Sequence, residues 1–299
     1  MPGRPKRMRD LTPDVGVADA ARVAVAQRLG SVRKQAKRIK GSSGESKRVH
    51  KLRTSCRRAS AALDAFAPCL GKKRRKKAER LLKKMRRAAG EARDLDVQAG
   101  LWRSIRDGEP DAAEAAEAML ARNRARRENA GGALVKSRRK HTPKRVKKER
   151  NRVVGSVRGV KGVKRLGPFA HARLDEAASE LKAWIDQPGR DAESMHKARI
   201  AEKRVRYTVE IFQHCLEPET ARAVEHDLEE LHDAMGDHHD YVVAERLLDE
   251  AAPELGHGLL APLLEAVRAR KAEAGRAAVR RLERFGEDWF GGPRTLLAA

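Results

Sequence analysis

Aromatic side chains make up only 3% of the 299 residues, and there are three cysteines. β-Branched residues are also sparse. A sheet faced with aromatic and β-branched residues therefore has too little material, and almost no strand is expected. Cys56, Cys69 and Cys215 are odd in number and lack metal-ligand spacing, so no disulfide framework is expected. Cys56 falls on the apolar stripe of a helix, the place of a small core hydrophobe. No window approaches the roughly 20 apolar residues of a membrane span, and no apolar segment follows the basic start Met1-Pro2-Gly3-Arg4-Pro5-Lys6-Arg7. A soluble protein of the reducing cytoplasm is expected. Acids are in deficit too: 42 Asp and Glu face 67 Lys and Arg, a formal charge of +25. Such an excess recruits polyanions by long-range attraction and counterion release.

Ala, Arg, Lys, Leu and Glu are abundant, the composition of long helices, and the expected fold class is all-α. The chain also repeats itself. Val49-His50-Lys51-Leu52-Arg53-Thr54-Ser55-Cys56-Arg57-Arg58 returns as Met195-His196-Lys197-Ala198-Arg199-Ile200-Ala201-Glu202-Lys203-Arg204, a shift of 196 − 50 = 146 residues. Phe66 and Phe212 follow in register. A second block keeps the same shift: Met85, Gly90, Asp94 and Val97 match Leu231, Gly236, Asp240 and Val243. Two halves with one helix order follow from this, arranged as a pseudo-twofold pair of four-helix bundles.

Each half is expected to hold a lead-in helix (about 17–39 and 163–186), a motif helix (46–67 and 191–214), a long helix (72–106 and 218–250) and a fourth helix (111–135 and 257–290). Gly108 with Pro110, and Pro253 with Gly256, supply the breaks after the long helices. Residues 1–14 are expected to be a disordered basic N-terminus. A single domain then spans 15–290 as two repeats, 15–135 and 163–290, joined by a basic linker or helix over 136–162. Residues 291–299 are expected to be a flexible C-terminus. From Lys136 to Arg165 there are 14 Lys or Arg and one acid, Glu149. A short helix with mobile ends is expected there, acting either as a solvated linker or as an arm that captures anions.

At 100° per residue, His50, Arg53 and Arg57 project within about 60° of one another, beside a separate apolar stripe of Val49, Leu52, Cys56, Ala59, Leu63 and Phe66. His196, Arg199, Lys203 and Arg206 do the same in the second half. Each motif helix thus buries one flank and offers a ladder of cations on the next. Arginine forks suit phosphate oxygens, and a histidine among cations is expected to have a lowered pKa until an anion arrives. The glycines of the second block, Gly90 and Gly236, point to close helix packing.

These blocks resemble the paired signatures of CHAD domains, α-helical domains named for their histidine. Gly90-Glu91-Ala92-Arg93-Asp94 and Gly236-Asp237-His238-His239-Asp240 are similar to the companion blocks of that family. The resemblance covers about 15–290. It implies a basic groove or pore between the two bundles, non-catalytic binding of inorganic polyphosphate, and targeting to polyphosphate granules. The polyphosphate-binding residues carried over are His50, Lys51, Arg53, Arg57, Arg58, His196, Lys197, Arg199, Lys203, Arg204 and Arg206. Arg80, Lys83, Lys84, Arg87, Arg93, Tyr207 and His239 are further candidate anion contacts. Asp94 and Asp240 are expected to orient neighbouring cations. Ser60 and Ala61 stand where the second copy has Arg206 and Tyr207, so the halves are unequal.

The cluster His232, Asp233, Asp237, His238, His239 and Asp240 lacks a His-Glu-x-x-His pattern and sits among cations, so no metal site is assigned. No phosphate loop, nucleophile elbow, Cys-His pairing or Glu-x-Glu-x-Lys stretch appears, so neither catalysis nor a cofactor is expected. The alternative is a non-specific nucleic-acid (DNA) binding protein, chiefly through 136–165, disfavoured by the lack of aromatic platforms for bases.

Overall fold

The structure, a computed structural model, describes residues 7–39, 46–187 and 191–291. Nine α-helices occupy them: α1 Val17–Arg38, α2 Ser46–Ala65, α3 Lys72–Gly108, α4 Ala113–Lys140, α5 Pro143–Val154, α6 Leu166–Ile185, α7 Ala192–Phe212, α8 Pro218–Leu255 and α9 His257–Gly286. No strand is present among the described residues, only two isolated bridges. Helices α1–α4 and α6–α9 are the two repeats, with motif helices α2 and α7 packed on the long helices α3 and α8.

Caps explain several starts. The Thr142 hydroxyl accepts from the Arg145 backbone N–H at 3.2 Å and Pro143 opens α5; Asp191 Oδ1 accepts from the Ser194 N–H at 2.7 Å at the head of α7. The break expected at Pro253 falls later. Helix α8 continues through it to Leu255 and stops at Gly256, whose φ of +90° is a backbone state that glycine reaches without strain. Pro253 forfeits a single hydrogen bond in the last turn, too little to end a helix otherwise held by packing.

Equivalent residues meet across the boundary between repeats. Phe66 and Phe212 lie edge to face with centroids 5.4 Å apart, and Phe169 stacks on Phe66 at 5.6 Å. A pair related by the 146-residue shift thus touches itself, as the expected pseudo-twofold arrangement requires. The repeats also share their cores. One apolar cluster joins α1, α2, α5, α6 and α7 to the first halves of α3 and α8. The other joins the second halves of α3 and α8 to α4 and α9, around Trp102, Ile105, Leu248 and Leu263.

Two segments are better packed than expected. Residues 7–14 lie against the core: Leu11 is fully buried, and the Gly167 N–H donates to the Pro13 carbonyl at 2.9 Å. A single apolar residue seated in a slot leaves no periodicity to read. Residues 1–6 of that segment, and all but Gly291 of the expected flexible C-terminus, lie outside the described residues. The basic connector is docked rather than free. Its first residues extend α4, Val146, Glu149 and Val153 bury one face of α5 against α1 and α3, and the Arg158 N–H donates to the Cys69 carbonyl at 2.9 Å.

Candidate anion-binding groove

Helices α2 and α7 carry His50, Arg53 and Arg57, and His196, Arg199, Lys203 and Arg206, on flanks that face the long helices. Arg53 Nη1 donates to the Gly90 carbonyl at 3.0 Å and to Asp94 Oδ1 at 2.6 Å. Arg199 Nη1 donates to the His232 carbonyl at 3.2 Å, with Asp240 and Asp237 in its field. Asp94 thus pairs directly with the motif arginine, whereas Asp240 acts on Arg199 through its field. The recurrent glycines lie under the motif arginines, though at distances a Cβ would tolerate. A Cβ at Gly90 would lie 3.8 Å from Arg53 Nη1, and one at Gly236 would lie 3.5 Å from Arg199 Nη1, so both motif arginines rest on bare helix backbone.

The two half-sites adjoin. Lys203 feels Arg57 of the other repeat as well as Arg199 and Arg206, and Asp240 feels Arg93 as well as Arg199. The Gln98 side-chain amide, from α3, donates to the Asp240 carbonyl on α8 at 3.1 Å. Tyr207 is buried, hydrogen-bonds Arg57, and lies under the Arg206 guanidinium, 4.5 Å from the ring centroid. It holds two cations in place instead of offering a free hydroxyl.

Burial and mutual repulsion depress the titratable cations. Burial first, then Arg199 and Arg57, push Lys203 down to about 7. Burial, then Arg199 and Lys203, push His239 down to about 4, and its ring stands 5.9 Å from that of His196. His50 is lowered by burial and then by Arg93, Arg57 and Arg53. Burial lifts Asp240 despite Arg199. A site that depresses its own cations is short of negative charge.

Not every residue carried over faces this groove. Arg58 Nε donates to Glu210 Oε2 at 2.9 Å, and Arg204 pairs with Glu180, with Glu176 at 2.5 Å and with Asp64 at 3.4 Å. Both arginines tie helices together on another flank. Lys197 pairs with Glu193 at 2.6 Å and caps the Trp184 ring, and Lys51 is exposed one position round from His50. Arg80, Lys83, Lys84 and Arg87 are exposed along α3, and Lys84 lies beside His141 instead of beside the motif helices. Arg93 and His239 do join the groove.

Two further participants, Arg86 and Glu202, carry no mark in the repeat motif itself. Arg86 reaches Arg57 and Cys56 electrostatically. Glu202 is fully buried, with Oε2 3.0 Å from His232 Nδ1 and Oε1 3.5 Å from Arg206 Nε. The readable sign was an acid on an apolar stripe, at the position where the first repeat has Cys56. The shift of 146 also exposes an inequality. Arg57, Arg86 and Arg93 of the first half correspond to Lys203, His232 and His239 of the second (203 − 57 = 232 − 86 = 239 − 93). At these three positions the first half has arginine where the second has lysine or histidine.

The buried cysteines have raised thiol pKa values, about 12 for Cys56 and about 11 for Cys69 and Cys215, each chiefly from burial. Among the described residues, His226, Asp227 and Glu230 form one group with metal-like spacing. There Glu230 pairs with Arg281 at 2.7 Å and Asp227 accepts from Trp289 Nε1 at 2.9 Å, so two of the three already have protein partners.

Fold and groove together define an all-helical protein of two fused repeats that gathers cations between its halves. The CHAD domain family model matches residues 23–249, and the chain belongs to that family. In three dimensions it resembles the CHAD domain from the plant Ricinus communis, with a TM-score of 0.69 and 22% identity over 91% of this chain and 93% of that one. PptA from Streptomyces chartreusis is also similar, with a TM-score of 0.64 and 15% identity over 91% and 98%. No curated protein matches in sequence. No described helix is long and apolar enough to cross a membrane.

Proposed function

We propose that the protein binds inorganic polyphosphate in the α2–α3–α7–α8 groove without hydrolysing it, and that this grip holds it at polyphosphate granules in the cytoplasm. The observation that carries the reading is that Arg53, Arg57, Arg93, Arg199, Lys203 and Arg206, from both repeats, lie within one another's fields as one cluster of cations. Polyphosphate is charge without bases. Tyr207, the tyrosine beside Arg57, is buried beneath Arg206 and offers no platform to a base. Arginine forks already fixed by Asp94 and by backbone carbonyls lose little freedom on meeting a phosphate oxygen.

Salt-titrated competition between long-chain polyphosphate and duplex DNA tests this, using the wild type and an Arg53→Ala/Arg57→Ala/Arg199→Ala variant whose helicity is checked by circular dichroism. The variant is expected to lose at least about tenfold in polyphosphate affinity, three charge-assisted contacts each contributing on the order of 1 kcal/mol. Unchanged affinity in a folded variant overturns the assignment. Phosphate release from polyphosphate is expected to stay at background throughout.

A further inference from the structure

The cations of α3, α4 and α5 that point away from the groove form a second surface, and the other repeat has no counterpart. Over residues 72–87 the first repeat carries eleven Lys or Arg, of which Arg86 turns to the groove, and one acid, whereas the equivalent residues 218–233 carry one Arg and six acids. The groove, by contrast, recurs in both halves. This outer face is therefore not one half of a symmetric site. Helix α5 adds Lys144, Arg145, Lys147 and Lys148, all exposed, while its buried Val146, Glu149 and Val153 clamp it to the body. The three helices converge at buried His141, which feels Arg145 of α5, Lys84 of α3 and Lys140 of α4. The acids here are neutralised internally: Glu79 by Arg75 at 2.6 Å, and Glu149 by Arg152 at 2.9 Å.

We propose that this α3–α4–α5 face is a second binding site, for the phosphate backbone of double-stranded nucleic acid, so that one chain holds polyphosphate in its groove and a duplex on its flank. The site goes beyond the polyphosphate reading and does not depend on it. Charge density fits. From Lys72 to Arg87 a helix runs about 22 Å, and a duplex presents about a dozen phosphates over that length, counting both strands. The chemistry of the face excludes the competitors. A docking site for an acidic protein needs apolar anchors at its centre, and among the described residues the one large exposed hydrophobic is Ile200, on α7. A single strand needs aromatic platforms; α4 and α5 contain none, and the one on α3, Trp102, is fully buried. Exposed lysines and arginines on rigid helices are suited to backbone contacts without sequence choice.

The test pairs two variants with two polymers. A face variant, Lys76→Glu/Arg80→Glu/Lys144→Glu/Lys147→Glu, changes exposed side chains only and leaves the groove intact. Binding of a labelled mixed-sequence DNA duplex is measured across a salt series. For about four lost phosphate contacts, the log–log salt slope is expected to fall by about 3 to 4, with polyphosphate affinity affected far less. The Arg53/Arg57/Arg199 groove variant is expected to show the reverse selectivity. Wild-type protein on polyphosphate-coated beads is expected to retain the duplex. Three results overturn the proposal: parallel loss of both polymers in both variants, release of the duplex by stoichiometric polyphosphate, or equal displacement of the duplex by polyglutamate at matched charge, which assigns the face to acidic protein. A groove variant that keeps its polyphosphate affinity removes the polyphosphate reading alone, because the duplex readout is independent of it.

Discussion

Arg58 reaches across the repeat boundary to Glu210, and their equivalents exchange in the same way: Arg204 lies 3.4 Å from Asp64, with 204 − 58 = 210 − 64 = 146. Each repeat gives its arginine to the acid of the other, beside the contact of Phe66 with Phe212. The exchange is unequal in its details. Glu210 also holds Arg28 at 2.7 Å, and Arg204 is additionally held by Glu176 and Glu180. Duplicated sequence has thus become a reciprocal seam, and the basic pair that ends each motif serves two ends: one member turns to the groove and the other to the seam.

Glu210→Ala removes the acid shared by Arg28 and Arg58, in a part-buried setting. Urea unfolding is expected to show a loss of about 1 kcal/mol, because one partner is well exposed and screened. Polyphosphate affinity is expected to stay at the wild-type level. An affinity loss as large as that of Arg57→Ala would place the seam arginines back in the groove.

The unequal half-grooves set the pH behaviour. Lys203, pushed down to about 7, is half neutral near pH 7 in the free protein, and a bound polyanion restores its proton. Its neighbours are Arg199, Glu202 and Arg206 on its own helix, Arg57 on α2 and His239 on α8; of those that act on it, only Glu202 opposes the depression. Affinity is therefore expected to fall as pH rises from about 7 to 9, with up to one proton taken up per binding event, and Lys203→Arg is expected to flatten that slope. Stability of the free protein runs the other way. The unfolded chain holds the Lys203 proton up to about pH 10.5 while the folded chain releases it near 7, so folding gains as pH climbs between those values. Isothermal titration in buffers of different ionisation heat counts the protons. Identical proton uptake in wild type and Lys203→Arg would refute the assignment.

Gly90→Ala and Gly236→Ala test why the glycines recur. The added Cβ would meet Arg53 or Arg199 at 3.5–3.8 Å, ordinary contact, and both sites are helix interiors. Each substitution is expected to raise stability, by at most about 1 kcal/mol from helix propensity. A denaturation midpoint that falls instead would mean the guanidinium needs the bare backbone more closely than the geometry requires.

Much of this was legible in the sequence, and the reason is periodicity. The apolar stripe through Val49, Leu52, Cys56, Ala59, Leu63 and Phe66 located α2, and the 146-residue shift then located α7 and the long helices to within a few residues. What escaped depended on partners distant along the chain. Nothing local to Arg58 reveals Glu210, and nothing local to Arg204 reveals Glu180 or Asp64, so cations of both flanks looked equally free. Leu11, a lone apolar residue in a basic leader, gave no pattern from which its burial could be read. Of the pair Pro253 and Gly256, Gly256 alone ends α8, because packing carries the helix past the proline.

Glu202 is the residue whose charge the groove most needs in the absence of ligand. It is fully buried, contacts His232 and Arg206, and lies in the field of Arg199 and Lys203. Glu202→Gln keeps the shape and removes the counter-charge, leaving a buried cluster of cations without its acid. A loss of about 3 kcal/mol is expected in urea unfolding, the range for breaking a buried charge pair from one side. A bound polyanion supplies the missing negative charge, so saturating polyphosphate is expected to raise the melting temperature of Glu202→Gln by more than it raises that of the wild type. Equal ligand shifts in the two proteins, with the variant still destabilised, would show that Glu202 orients His232 and Arg206 without balancing the charge that the anion later meets.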